Sequence, residues 1–343
     1  MPELDFDKLE SLVQAHAPGA RLVQAEMPGG ASTRRYFRLE LPGGGRAVAM
    51  FVPEGSKPEE IAKEGVHRRW PFLEVRDLLE AHGVDVPRLY GEDTQSGWLL
   101  LEDLGDDTLA NYLLRNEGSR EALYRRAVLD LARAQKALAQ LPAGSVVASR
   151  AFDHDLLRWE IDHFREWGLE ARGHLLPSED RARFEAIADR LATRIASWPR
   201  GFVHRDYQSR NLMVRPGETL CWIDFQDALL GPQVYDLVAL LNDSYQMFDR
   251  AFVEERLREY CASIGSDLAE VTAQFDYVTV QRKLKDAGRF VFIDRRKGND
   301  SFLRFVTPTI HKVREALDRL HGRDEDMNAL RSLLKRVLPD EFG

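Results

Sequence analysis

Residues 202–214 read FVHRDYQSRNLMV, and the reading of this stretch decides the fold. Asp206 stands five positions ahead of Asn211, which opens a short apolar run. Taken singly, Asp206 reads as a turn residue and Asn211 as a strand-edge cap, the ordinary roles of Asp and Asn in loops. The residues that follow change the balance. Residues 211–224, NLMVRPGETLCWID, form two apolar strands around Pro216 and Gly217, which is a β-hairpin pattern. With those two residues as the turn, Val214 is expected opposite Thr219 and Asn211 opposite Trp222, leaving Asp224 just beyond the open end. An Asn carbonyl oxygen and a carboxylate converging there are the hard oxygen donors that Mg²⁺ selects, its shell being completed by water and nucleotide phosphates. Asp206, on the loop feeding the hairpin, is then placed to accept or orient the proton of an attacking hydroxyl.

Composition is compatible with such an enzyme and excludes several other classes. With 343 residues the chain is long enough for two lobes, and 44% hydrophobic with 30% charged residues is ordinary for a packed globular protein. A net charge of -8 argues against general affinity for nucleic acid or anionic lipid, so no nucleic-acid and no membrane partner is expected. Cys221 and Cys261 lack CxxC spacing and are expected as buried thiols, not a disulfide or a zinc site. The N-terminus MPELDFDKLESLVQ lacks the layout of a signal peptide, and no apolar run approaches the ~18 residues of a bilayer span. A cytoplasmic monomer acting on a small molecule is the expectation.

The first hundred residues alternate between helix and strand. FDKLESLVQAH has helical apolar spacing, YFRLEL and RAVAMFVP read as strands joined by LPGGGR, and RWPFLEVRDLLEAHGV reads as a helix ending at Gly83. RLYGEDTQSGWLLLEDLGD then reads as two strands around TQSG. From Thr108 onward the pattern is strongly helical. The expected organisation is α+β in two lobes: a β-rich N-lobe over 1–102, a hinge over 103–107 and a mainly helical C-lobe over 108–343.

HRDYQSRN followed by IDFQ, with Asp224 18 residues after Asp206, has the order of the protein-kinase pair H-R-D-x-x-x-x-N and D-F-G. Phosphoryl transfer is therefore expected, with Asp206 catalytic, Asn211 and Asp224 on Mg²⁺, and His204 and Arg205 structural. The chain as a whole resembles the aminoglycoside phosphotransferase and choline kinase superfamily, which implies a protein-kinase-like two-lobe fold and ATP as co-substrate. In that likeness GPQVYDLVALL supplies Asp236 to brace the catalytic loop, and LLLEDLG is a hinge offering backbone groups from Glu102 to Leu104 to adenine. Within the superfamily GGASTRRYFRL, LLLEDLGD, HRDYQSRNLM with DFQDALLGP, and VQRKLKDAGRF are similar to bacterial anomeric kinases of N-acetylmuramate and N-acetylglucosamine. That likeness implies an amino-sugar substrate and a place in cell-wall recycling.

On the nucleotide side, Gly29 and Gly30 let backbone N–H groups approach phosphates, and Ser32 and Thr33 add donors. Without that context PGGAS is only a turn signal. Met50 falls where kinases at large carry a strand lysine, so the missing charge is expected from among Arg34, Arg35 and Arg38, unless these are solvated strand charges. On the acceptor side, Gln226 and Asp227 follow the metal carboxylate and suit sugar hydroxyls. Arg282 and Lys285, three apart on a helix, either face an acidic sugar such as muramate or form an exposed basic stripe. Two other functions remain open. One is a kinase of an aminoglycoside, choline or another small alcohol, suggested by the C-terminal LPDEFG; the other is a nucleotide-binding pseudokinase scaffold, suggested by Met50.

Overall fold

The computed structural model describes residues 4–24, 26–27, 34–53 and 69–342. Helix α1 (Phe6–His16) is capped by Asp5, whose carboxylate accepts from Lys8 N at 3.2 Å. Then come β1 (Arg21–Gln24), β2 (Arg35–Glu40), β3 (Arg46–Phe51), helix α2 (Pro71–Ala81), β4 (Leu89–Asp93) and β5 (Trp98–Glu102). These strands make one antiparallel sheet in the order β1-β2-β3-β5-β4.

The near-continuous apolar run of β3 follows from its central place, because both faces of the sheet are covered. Ala47, Ala49 and Phe51 pack with Trp98 and Leu100 against Leu9, Leu12 and Val13 of α1. The alternate residues Met50, Leu99 and Leu101 face the other way, onto Leu73 of α2. Trp98 Nε1 donates to Asp5 O at 3.1 Å, which ties the start of α1 to the sheet.

The rest of the chain is mainly helical: α3 (Leu109–Leu113), α4 (Arg120–Ala137), α5 (His154–His163), α6 (Ser178–Ala196), α7 (Val234–Leu241), α8 (Arg250–Ile264), α9 (Leu268–Lys297), α10 (Val306–Leu320), α11 (Glu325–Val337) and α12 (Pro339–Phe342). Among the described residues no helix is long and apolar enough to cross a membrane. Helix α9 runs through the middle of the helical core. Its Gly288 lets the backbone at His163 and Phe164 come close, since a Cβ there would lie 2.8 Å from His163 O and 2.9 Å from Phe164 Cα. Two short antiparallel pairs interrupt the helices: β6 (Gly201–Val203) with β9 (Leu229–Gly231), and β7 (Leu212–Arg215) with β8 (Thr219–Trp222).

The β7–β8 hairpin corrects the expected register by one residue. Arg215 faces Thr219, Val214 faces Leu220 and Leu212 faces Trp222. The loop is three residues long because Glu218 N donates to Arg215 O at 3.0 Å, and Gly217 and Glu218 take φ of 80° and 56°. The Asn211 carbonyl therefore meets Ile223 N, at 3.0 Å, not the expected Trp222. Asp224 still follows directly beyond the open end.

The two parts of the chain are joined by ion pairs around residues 102–107. Arg38 of β2 reaches Asp103 at 2.7 Å and Asp106 at 3.0 Å, while Arg215 of β7 grips Glu102 at 2.6 Å.

Candidate active site

Topology brings the two loops of interest together. The loop 204–211 leaves the end of β6 and enters β7, and the loop 223–228 leaves the end of β8 and enters β9. Val203 pairs with Leu229 and Leu212 with Trp222, so both loops emerge at the same end of the two strand pairs. Three non-glycine residues among those described have positive φ, and two lie in these loops: Arg205 at 79° and Asp224 at 61°. Such conformations cost on the order of 1–3 kcal/mol and persist where the surroundings hold them.

The surroundings here are carboxylates set behind the loop. Asp236 of α7, fully buried, accepts from His204 N at 2.7 Å and Arg205 N at 3.0 Å. Asp243, just after α7, accepts from both the N–H and the hydroxyl of Ser209, at 2.9 and 2.5 Å. Glu160 of α5 sits under Arg205, whose guanidinium lies 3.4 Å away, and accepts from Gln281 Nε2 at 2.8 Å and from the Tyr235 hydroxyl at 3.3 Å. The His204 ring is buried and meets Ile223 O at 3.1 Å, joining the two loops, and burial holds its pKa below the usual imidazole range. A carbonyl only accepts, so Nε2 carries the proton and the ring is a neutral structural tie.

Asp206 is reached from α9. Arg282, 2% exposed, donates to Arg205 O at 2.7 Å and to Asp206 Oδ1 at 3.1 Å, and its guanidinium lies 4.6 Å over the Tyr235 ring. Burial pushes the Asp206 carboxyl up, but the cations Lys285, Arg282 and Arg205 outweigh it and hold the group at about 2. Asp206 is thus an ionised acceptor with one oxygen fixed by Arg282.

Asn211 Nδ2 donates to Asp206 O at 2.8 Å, which leaves Oδ1 as the end of that amide able to take a cation. The Asp224 carboxylate has 43% side-chain exposure and takes Gln226 Nε2 at 2.9 Å and Arg34 Nη1 at 3.3 Å. Among the described residues no group of three or more His, Cys, Asp or Glu is arranged to hold a metal. One amide oxygen and one accessible carboxylate are instead the sparse protein donor set suited to Mg²⁺ with water and phosphate.

Several residues are placed differently from the sequence expectation. Arg282, expected to face an acidic sugar together with Lys285, has both terminal nitrogens on the loop 204–211, at Arg205 O and Asp206 Oδ1. Gln226 is buried and its amide nitrogen bridges Asp224 and Asp227, at 2.9 and 3.0 Å, while its Oε1 has no hydrogen-bond partner among the described residues. Asp227 is drawn into the same group, where burial raises its pKa. Arg35 forms a bidentate pair with Glu26 at 2.8 and 2.7 Å, and Arg38 is held by Asp103 and Asp106, so of the three arginines only Arg34 reaches Asp224. Gly29, Gly30, Ser32 and Thr33 lie outside the described residues. Glu102 N donates to Arg88 O at 2.9 Å and its carboxylate binds Arg215. Glu160 and Asp243 were not anticipated: each is an ordinary acidic residue in a helical stretch or at its end, and only the tertiary fold gives it its partner in the loop.

Helix α2 also meets the second loop, with Phe72 and Phe225 ring centroids 5.0 Å apart. The model of the phosphotransferase enzyme family matches residues 24–273. The chain belongs to that family. Two relatives carry the name N-acetylmuramate/N-acetylglucosamine kinase. The one from Neisseria meningitidis is 32% identical over 326 residues, covering 91% of this chain and 89% of the relative. The one from Pseudomonas aeruginosa is 35% identical over 297 residues, covering 83% and 80%. Among solved structures, the GDP complex of an aminoglycoside 2'-phosphotransferase-IIIa mutant superposes with a TM-score of 0.59 at 13% identity, covering 93% of this chain and 99% of that one. At that identity the likeness concerns the fold alone, which is the two-lobed, protein-kinase-like α+β fold. The phosphotransferase is thus an enzyme of that architecture, with the loops carrying Asp206, Asn211 and Asp224 brought to one place.

Proposed function

We propose that this phosphotransferase uses MgATP to phosphorylate the anomeric hydroxyl of N-acetylmuramate and N-acetylglucosamine, as a cytoplasmic monomer in cell-wall recycling. The observation that carries the reading is the convergence of Asp206, Asn211 and Asp224 in a chain 32–35% identical to kinases named for these sugars. Residues 1–102 and 108–343 are its two lobes and 103–107 its hinge. Glu102 O and Leu104 N–H are offered to adenine; among the described residues the latter has no recorded hydrogen-bond partner.

Asn211 Oδ1 and the Asp224 carboxylate hold Mg²⁺, which when bound neutralises phosphate charge. Asp206 accepts a hydrogen bond from the sugar hydroxyl through the oxygen that Arg282 leaves available. The sugar oxygen then forms its bond to the γ-phosphorus as the bond to the ADP oxygen breaks, and the hydroxyl proton leaves by way of Asp206. Most of the rate enhancement comes from positioning, because phosphoryl transfer leaves the protein little covalent work. Arg34 is the guanidinium on the nucleotide side, and in the free protein it rests on Asp224.

The strand position without a lysine supports this division of labour. Met50 is 1% exposed among Leu73, Leu99 and Leu101, and the Glu74 carboxylate of α2 is taken by Val146 N at 2.5 Å. Met50→Lys is accordingly expected to cost about 2–5 kcal/mol of stability by burying an unpaired charge, without raising kcat/KM for ATP. Urea unfolding with nucleotide kinetics checks this, and improved ATP turnover would mean that the lysine role is vacant, not relocated.

The functional reading is tested by ADP release with Mg²⁺ over N-acetylmuramate, N-acetylglucosamine, choline and kanamycin. Turnover of the N-acetylated sugars alone is expected, since Arg282 and Lys285 beside Asp206 disfavour a cationic acceptor. Turnover confined to choline or kanamycin would replace it with the small-alcohol reading, and nucleotide binding without any turnover with the scaffold reading.

A further inference from the structure

Lys285 lies one helical turn beyond Arg282 on α9, on the same side. The two cations are engaged very differently. Arg282 has both of its terminal nitrogens on the catalytic loop. Lys285 is almost as deeply placed, with 9% side-chain exposure, yet its nearest ionic partner is Asp286 Oδ1 at 3.6 Å, outside hydrogen-bond reach. That carboxylate is already taken by Lys283, whose Nζ donates to Asp286 Oδ2 at 2.7 Å and lies 3.3 Å from the Ser244 hydroxyl. Among the described residues Lys285 Nζ makes no recorded hydrogen bond. The ammonium is therefore not committed to a short hydrogen bond among the described residues and is able to take an anionic acceptor offered from outside the chain.

The missing acceptor belongs beside Asp206. Lys285 follows Arg282 by one turn of α9, and Arg282 Nη2 lies 3.1 Å from Asp206 Oδ1, so the Lys285 ammonium stands on the Asp206 side of the helix, where its charge helps to hold that carboxyl down. Arg34, on the nucleotide side, has Asp224 and Asp227 as its carboxylate neighbours, whereas Lys285 has Asp286 and Asp206. An anion offered to Lys285 is therefore part of the acceptor.

We propose that Lys285 reads a carboxylate on the acceptor, so that the acidic amino sugar is preferred over its neutral counterpart. This rests on the amino-sugar reading above and sharpens it. N-acetylmuramate carries a lactyl carboxylate that N-acetylglucosamine lacks, and otherwise the two sugars offer the same anomeric hydroxyl. A charge-assisted hydrogen bond of this kind sets the ratio of kcat/KM between the two sugars, because it is made with one and not the other.

The experiment compares wild type and Lys285→Met with three acceptors at saturating MgATP: N-acetylmuramate, N-acetylglucosamine, and the carboxamide of N-acetylmuramate. The expected result is that the muramate-to-glucosamine ratio of kcat/KM falls about 10- to 100-fold in the variant. Wild type should lose a similar factor on going from the acid to the carboxamide, and the variant should lose almost none, as a double-mutant cycle requires. An equal loss for all three acceptors would overturn the proposal and place Lys285 on the transferred phosphoryl group. If the variant does not fold, the wild-type comparison of acid with carboxamide decides alone, and equal turnover of the two overturns the proposal. Wild type that phosphorylates neither sugar would sink the functional reading as well, whereas turnover of both with an unchanged ratio sinks only the role of Lys285.

Discussion

Asp206→Asn is expected to lower kcat by about 10³-fold, within the range that a positioned acid–base group contributes, while the dissociation constant of MgATP stays within a few-fold of wild type. The two effects separate because, in the proposed function, Asp206 faces the acceptor whereas Asn211 and Asp224 hold the metal nucleotide. The substitution keeps a carbonyl oxygen for Arg282, so the loop should remain folded. The carboxyl held at about 2 also fixes the sign of the pH effect. A depressed pKa keeps Asp206 ionised at every pH above roughly that value, so an acid limb in kcat between pH 5 and 9 would have to come from another group. Rapid-quench turnover with nucleotide titration checks both statements. Equal loss of nucleotide binding and turnover would remove Asp206 from the acceptor side.

Arg282→Leu is expected to reduce kcat by about 10²-fold, the effect of a small misplacement of a reacting group, and to cost about 2–4 kcal/mol of stability through lost charge-assisted bonds. The guanidinium does two things at once, closing Arg205 O and fixing Asp206 Oδ1. Arg282→Lys should therefore recover little, because one ammonium cannot span both acceptors in that planar geometry. Steady-state kinetics should show the loss in kcat, with KM for sugar and nucleotide little altered. A variant in which KM for the sugar rises while kcat holds would return Arg282 to direct acceptor binding.

These expectations divide along the line between local and long-range information. The α1, β2, β3, α2, β4 and β5 segments were legible because each carries its own periodicity and punctuation, such as Gly83 after α2. β1 was missed. Its Leu22 and Val23 are half exposed at the sheet edge, so no alternation marks it. The β7–β8 turn was misplaced by one residue because Pro216-Gly217 signals a turn without giving its length; Glu218, in a left-handed conformation, belongs to it as well. At the site, Asp206, Asn211 and Asp224 were readable as a group because their order and spacing lie along one continuous stretch.

The supporting shell was not readable in the same way. Glu160 is far from Arg205 in sequence and nothing near it indicates a buried network. The side chain of Arg282 could be placed on a helix face, but not aimed, because the choice between sugar and catalytic loop depends on how α9 crosses the β6–β7 loop. Arg35 and Arg38 show the same limit, since two arginines in one strand were drawn to Glu26 and to Asp103 by partners that only the folded sheet provides. The local pattern picks out the proposed reacting groups, and tertiary packing determines what holds them.

The central claim is phosphoryl transfer to the anomeric oxygen of an N-acetylated amino sugar, and its most direct test is phosphorus NMR of the product formed from MgATP and N-acetylmuramate. The account predicts an acid-labile sugar 1-phosphate, with the phosphorus coupled to the anomeric proton. A phosphomonoester at another carbon, stable to mild acid, would contradict it.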